Sequence, residues 1–71
     1  MTVQEFVASL YQDREKQYLF LNLVSREVYQ GASLDLALRF KMGWDYINLP
    51  VSMKQELKQA LRDMYNSCVM T

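Results

Sequence analysis

The 71-residue sequence contains no histidine and only one cysteine, one proline and two glycines. Cys68 alone cannot form an internal disulfide, and a zinc site would lack most of its usual nitrogen and sulfur ligands. No histidine can serve as a catalytic base, and the two glycines stand too far apart for a glycine-rich phosphate loop. We therefore predict that the protein is not an enzyme and holds no metal or cofactor.

The sequence also lacks net charge and long hydrophobic runs. Eight basic residues balance eight acidic ones, so no overall field attracts nucleic acid or an anionic membrane. The most apolar run, residues 18–24, is far shorter than the ~20 residues that span a bilayer, and the first ten residues lack the basic start of a signal peptide. These absences predict a soluble, cytoplasmic protein without a membrane partner.

Apolar residues, in contrast, are abundant. They make up 51% of the chain and include five methionines, five tyrosines, three phenylalanines and one tryptophan. A domain of this size buries only about 60% of its unfolded surface, so its apolar residues exceed what one small core readily covers. The composition therefore predicts that the chain binds another protein and associates with itself into a homo-oligomer.

Apolar spacing predicts a helix at the beginning of the chain. Thr2 and Glu5 have the spacing of a capping box. The apolar residues that follow recur every three or four positions: Val3, Phe6, Val7, Leu10 and Tyr11. Six polar residues at 12–17 interrupt this stripe, which allows either a turn at Asp13 or one helix through residues 3–30. Because this run contains good helix formers and neither glycine nor proline, we expect a continuous or barely kinked helix.

The middle of the chain is also predicted to be helical. Residues 18–24 are compatible with a buried strand, but leucine dominates and the spacing of Leu21, Val24 and Val28 is helical. Gly31 is placed to end this helix. The sequence therefore favours a helix over a strand in this segment.

A further helix is expected after Gly31, with Ser33 as its N-cap and Asp35 in its first turn. Its apolar stripe consists of Leu34, Ala37, Leu38 and Met42, widened by Leu36 and Phe40. Gly43 should end it, because glycine adopts positive φ at low cost.

The last helix is expected after Pro50, with Ser52 and Gln55 as a second capping box. Its apolar face consists of Met53, Leu57, Ala60, Leu61, Met64, Tyr65 and Cys68. Lys54, Lys58 and Arg62 lie on the opposite side, where the pattern indicates a solvated face.

Residues 43–50, between Gly43 and Pro50, hold the only tryptophan and the only proline of the chain. We expect Trp44 to be buried as an aromatic plug in a helix-loop-helix corner. The alternative is that Trp44 and Tyr46 stand exposed as anchors for a partner, since these residue types are enriched at interface hot spots.

Together these patterns predict an all-α, single domain over residues 1–71, a small bundle of three or four helices with an aromatic corner at 43–50. The predicted function is a non-catalytic protein-interaction module: an adaptor, regulator or inhibitor. Its candidate interface residues are Trp44, Tyr46, Met53, Met64 and Tyr65. The alternative function is a DNA-binding transcriptional regulator that uses Lys54, Lys58 and Arg62. That alternative ranks lower because Pro50 interrupts a helix-turn-helix and acidic residues flank the basic stripe.

Overall fold

A computed structural model describes residues 2–69, and of Val69 the backbone alone. Its five helices are α1 (Val3–Gln12), α2 (Arg14–Gln30), α3 (Leu34–Met42), α4 (Trp44–Ile47) and α5 (Val51–Val69). The residues described include no strand, so the all-α prediction is confirmed and residues 18–24 are helical. The helix count exceeds the predicted three or four because α1 and α2 are separate and α4 is a single additional turn.

The long helix α5 is the centre of the bundle. It packs against α1 and α2, while α3 packs against α2 and α4 packs against α3. Every helix contributes to the core, whose buried residues are Val3, Leu10, Phe20, Val24, Leu34, Leu38, Tyr46, Leu57, Leu61 and Met64. None of the helices in the described part of the chain is long and apolar enough to cross a membrane.

The expected continuous helix through residues 3–30 is wrong, because the chain breaks at Asp13. This residue has an extended backbone, with φ −126° and ψ 97°. Its Oδ1 accepts a hydrogen bond from the Lys16 amide at 3.2 Å, and its own amide donates to the carbonyl of Leu10 at 3.4 Å. Because a short carboxylate can satisfy a free amide of the next helix, Asp13 starts α2 without glycine or proline.

Most of the other predicted helix ends are confirmed. Thr2 Oγ1 accepts from the Glu5 amide at 3.1 Å, and Ser33 Oγ accepts from the Leu36 amide at 3.2 Å. Gly31 ends α2 in the left-handed conformation, with φ 68° and ψ 19°. These three ends follow from local side-chain chemistry, which is why the sequence predicts them.

The capping box predicted at Ser52 is wrong, because α5 begins at Val51 and already includes Ser52. The carbonyl of Pro50 accepts the first helical hydrogen bond, from the Lys54 amide at 3.0 Å. Proline suits this entry, since its fixed φ is compatible with a helix start and its missing amide would have had no helical partner there.

The aromatic side chain that is buried in the 43–50 corner is not the one predicted. Gly43 ends α3 with φ 62° and ψ −134°, and α4 follows at once. Tyr46 is fully buried, whereas Trp44 is 73% exposed, so the expected tryptophan plug is wrong. A single turn can direct only one side to the core. Tyr46 lies on that side, and Trp44, about 200° around the turn, faces solvent.

Candidate protein-interaction surface

The outer face of α3 carries two large apolar side chains. Phe40 is 86% exposed and Leu36 is 52% exposed. Because they are four residues apart, they lie one above the other on the same face of the helix. Leu34 and Leu38 are buried on the opposite face. The prediction that Leu36 and Phe40 widen the core stripe is therefore wrong: α3 has one apolar face in the core and another in solvent.

The single turn α4 adds to this outer face. Trp44 and Ile47 are three residues apart on its exposed side, away from Tyr46. We call Leu36, Phe40, Trp44 and Ile47 the outer surface of α3–α4. Exposed charged side chains of both signs accompany it in the sequence: Arg39, Lys41 and Asp45. An apolar centre with a charged surround is the usual anatomy of a protein–protein interface.

The size of this surface is that of the largest apolar patch on a typical monomer. Aromatic side chains have roughly 150–250 Å² to bury, so Phe40 and Trp44 alone leave roughly 250–400 Å² of side-chain area in water at their exposures. The largest apolar patch on a typical monomer covers about 300–600 Å² and is often functional. Leu36 and Ile47 extend the outer surface of α3–α4 within that range.

Of the five interface candidates from the sequence, only Trp44 presents most of its side chain to solvent. Tyr46 and Met64 are fully buried, and Met53 and Tyr65 are partly buried against the core. Tyr46 and Met64 therefore hold the bundle together and could meet a partner only if the fold opened. Sequence reasoning missed Phe40 and Leu36, although their four-residue spacing on the side away from Leu38 was a usable signal.

Arg62, predicted to lie on a solvated basic face, is instead engaged by α2. Its Nε and Nη2 donate to Glu27 Oε1 and Oε2, both at 2.8 Å, a bidentate geometry that fixes both side chains. These hydrogen bonds lower the pKa of the Glu27 carboxyl and raise that of Arg62, and both effects exceed the opposing effect of burial. Arg62 therefore joins α5 to α2.

The other two residues of the predicted nucleic-acid face, Lys54 and Lys58, lie beside a second acidic residue, Asp35, and its hydrogen-bond donor Tyr46. The Tyr46 hydroxyl donates to Asp35 Oδ1 at 2.5 Å. Lys58 Nζ is 4.0 Å from the same oxygen, and Arg39 Nε is 3.1 Å from Oδ2. Lys54 Nζ lies 5.5 Å from the centre of the Tyr46 ring. The stripe Lys54, Lys58 and Arg62 therefore faces α2, α3 and α4, and its interpretation as a purely solvated face is wrong.

This second cluster shifts the pKa of its acids in opposite directions. The hydrogen bond from Tyr46, helped by the charges of Arg39 and Lys58, lowers the pKa of Asp35 despite partial burial. Burial, followed by the bond to Asp35, raises the pKa of Tyr46 well above its ordinary value. Tyr46 is thus a neutral donor and Asp35 a charged acceptor across the neutral pH range, which suits a structural contact between α4 and α3.

Comparison with known proteins gives no further guidance: no protein-family model, curated protein or solved structure matches this chain. The outer surface of α3–α4 is consequently the feature from which a function can be argued.

Proposed function

We propose that this protein is a non-catalytic protein-interaction module that binds through the outer surface of α3–α4. It acts in the cytoplasm as an adaptor, regulator or inhibitor, and a second copy of the chain is one of its partners. The observation that carries the proposal is the exposure of Phe40 (86%) and Trp44 (73%), two aromatic residues four positions apart. Aromatic anchors of this kind contribute most of the binding energy at many interfaces.

The area available supports a weak, reversible complex. Roughly 250–400 Å² of aromatic surface on each copy amounts to roughly 500–800 Å² in a dimer, whereas stable specific interfaces bury about 1,200–2,000 Å². Association also costs an estimated 4–15 kcal/mol in lost translational and rotational freedom. We therefore expect a transient dimer whose population depends on concentration.

Charge supports a second copy as partner. The chain has no net charge, so two copies do not repel each other over distance. Lys41 and Asp45 have opposite charges and flank Phe40 and Trp44 in the sequence. A two-fold dimer uses the same patch on both copies, so charges of opposite sign at its edge can pair across the interface.

DNA binding has weaker support as a function. Arg62 is held by Glu27 and Lys58 lies beside Asp35, so these cations would have to leave carboxylates to neutralise phosphates. Non-specific affinity comes mainly from cations that are available for phosphate contacts. We therefore propose protein, and not nucleic acid, as the partner.

Sedimentation velocity over a wide concentration range tests the proposal. We expect the wild-type chain to associate reversibly and the double variant Phe40→Ser/Trp44→Ser to remain monomeric with a nearly unchanged melting temperature. The matched control is Tyr18→Ser, which removes an aromatic side chain of 65% exposure from α2 and should associate like the wild type. Equal association of the double variant and the wild type would refute the assigned surface.

A second measurement extends the test to other proteins. The wild type and the double variant are used as baits in the native cell, and captured proteins are compared by quantitative mass spectrometry. A partner that binds through the outer surface of α3–α4 should be enriched with the wild type and with Tyr18→Ser but lost with the double variant. A monomeric wild type that captures the same proteins as the double variant would contradict the proposed function.

A further inference from the structure

A cavity of about 350 Å³ is lined by residues of all five helices, and Trp44 is not among them. Its wall is largely apolar and is formed by Val3, Phe6, Met42, Leu49 and Leu57. Val3 and Leu57 are buried, and the other three are partly buried against the core. This volume is at the small end of the ~300–1,000 Å³ range of ligand pockets, so it suits a small molecule with an apolar body.

Three polar side chains also line this cavity, and two of them carry opposite charges. Lys16 Nζ lies 5.2 Å from the centre of the Phe6 ring, and Asp45 contributes a carboxylate. The ion pairs formed within residues 2–69 use neither Lys16 nor Asp45. Thr2 Oγ1 accepts the cap hydrogen bond from Glu5, so its O–H can still donate to another group. The cavity therefore offers a cation, an anion and a hydroxyl donor around an apolar wall.

We propose that this cavity binds a small apolar α-amino acid. The carboxylate of the ligand pairs with Lys16 and takes the Thr2 hydroxyl hydrogen bond, while its ammonium pairs with Asp45. The apolar side chain of the ligand packs against Phe6, Met42 and Leu49. A zwitterion is the ligand class that satisfies both charges at once, whereas a simple anion or a simple amine would leave one of them facing a group that it cannot neutralise.

Titration with three probes, followed by the amide chemical shifts of the isotope-labelled chain, tests this site. The probes are L-phenylalanine, 3-phenylpropionate (which lacks the ammonium) and phenethylamine (which lacks the carboxylate). We expect saturable shifts with L-phenylalanine at the cavity-lining residues Val3, Phe6, Lys16, Leu49 and Leu57, and several-fold weaker binding of the other two probes. No saturable shift with L-phenylalanine, or shifts confined to the outer surface of α3–α4, would overturn the proposal.

Charge-removing variants separate the two ends of the ligand. Lys16→Met should weaken L-phenylalanine and 3-phenylpropionate about two- to fivefold, as expected for a partly exposed ion pair, and leave phenethylamine unchanged. Asp45→Asn should weaken L-phenylalanine and phenethylamine by a similar factor. Arg26→Met, which removes an exposed charge outside both the cavity and the outer surface of α3–α4, is the control and should change none of the three. If all three probes bind alike and neither variant matters, the cavity is an unselective apolar void and the proposal is wrong.

Discussion

At the residue scale, the Tyr46 hydroxyl carries the contact between α4 and the first turn of α3. It donates to Asp35 at 2.5 Å from an otherwise fully buried side chain. Hydrogen bonds to charged groups contribute about 1.5–3 kcal/mol to stability. Arg39 remains paired with Asp35 in the variant and compensates part of the loss. We therefore expect Tyr46→Phe to lower the free energy of unfolding by about 1–2 kcal/mol. Urea denaturation followed by circular dichroism measures this loss.

The control for that variant is Tyr18→Phe, which removes a hydroxyl from a side chain that is 65% exposed. Its free energy of unfolding should lie within about 0.5 kcal/mol of wild type. If Tyr46→Phe were equally neutral, Arg39 and Lys58 alone would stabilise the charge of Asp35. The hydrogen bond from the Tyr46 hydroxyl would then make no net contribution to stability.

The exposure of Trp44 gives a second prediction at this scale. A buried tryptophan replaced by alanine costs about 3–5 kcal/mol, whereas an exposed one changes stability by less than about 0.5 kcal/mol. Because Trp44 is 73% exposed, we expect Trp44→Ala to have the smaller effect in the monomer. Wild-type fluorescence at low concentration should be red-shifted and readily quenched by acrylamide. Blue-shifted, protected emission from the monomer would contradict the structure.

The two glycines offer a matched pair of substitutions. Both have positive φ, and an added Cβ would meet nothing within 4 Å at either site, so backbone conformation alone decides the cost. Gly31 (ψ 19°) is in the left-handed region that asparagine tolerates, whereas Gly43 (ψ −134°) is in a region that side chains avoid. We expect Gly43→Asn to cost about 1–3 kcal/mol and Gly31→Asn less than about 1 kcal/mol, measured by thermal denaturation. Equal costs would contradict this assignment.

At the scale of the element, the start of α2 rests on the Asp13 cap. Replacing an N-cap aspartate with alanine costs about 1 kcal/mol, and we expect that loss for Asp13→Ala in urea denaturation. Gln12→Ala, in the exposed last position of α1, is the control and should remain within about 0.5 kcal/mol of wild type. A stability gain in Asp13→Ala would mean that α1 and α2 prefer to form one helix.

Helix type and most helix ends were predictable because they depend on neighbouring residues. The apolar spacing, the caps at Thr2 and Ser33 and the stop at Gly31 act over one or two turns. The break at Asp13 was the less favoured of two alternatives. Helix propensity in residues 12–17 favours continuation, and packing of the two segments on α5 selects the cap. A strong local preference can thus be overridden where two helices must reach the same core.

The candidate surface was less predictable than the fold. Trp44 and Tyr46 stand two residues apart with similar composition around them, and which of the two faces the core depends on the direction in which α4 leaves Gly43. Nor does the stripe Lys54, Lys58 and Arg62 reveal its acidic partners, since Glu27 and Asp35 lie far away in the sequence. Contacts between residues so far apart in the sequence are set by tertiary packing, which the spacing of apolar residues does not reveal.

At the scale of the whole molecule, the Glu27–Arg62 pair joins helices that are distant in sequence. A double-mutant cycle with Glu27→Gln and Arg62→Met should give a coupling free energy of about 1 kcal/mol, the upper end for partly exposed pairs, because the geometry is bidentate. Asp63 and Lys58 provide the control cycle (Asp63→Asn, Lys58→Met), since no ion pair joins them among the described residues. A coupling near zero for Glu27–Arg62 would contradict the observed geometry.

The lowered pKa values of Glu27 and Asp35 also predict how stability depends on pH. In the unfolded chain these carboxyls take up protons near their ordinary pKa of about 4, whereas in the folded chain they stay ionised to lower pH. Their contribution is therefore complete above that range and is lost as pH falls through the lowered values. The melting temperature should decline below pH ~4, and the decline should be shallower in Glu27→Gln/Asp35→Asn.

Because Asp13 gives α2 its own first turn, α1 can leave the bundle without unwinding α2. The buried side chains that hold α1 are Val3 and Leu10, while α5 is held by three buried side chains between two neighbouring helices. Amide protons of α1 should therefore exchange with deuterium faster than those in the middle of α5, through a sub-global opening of α1 alone. The same opening would remove Val3 and Phe6 from the wall of the cavity, so a ligand bound there would oppose it and slow amide exchange in α1.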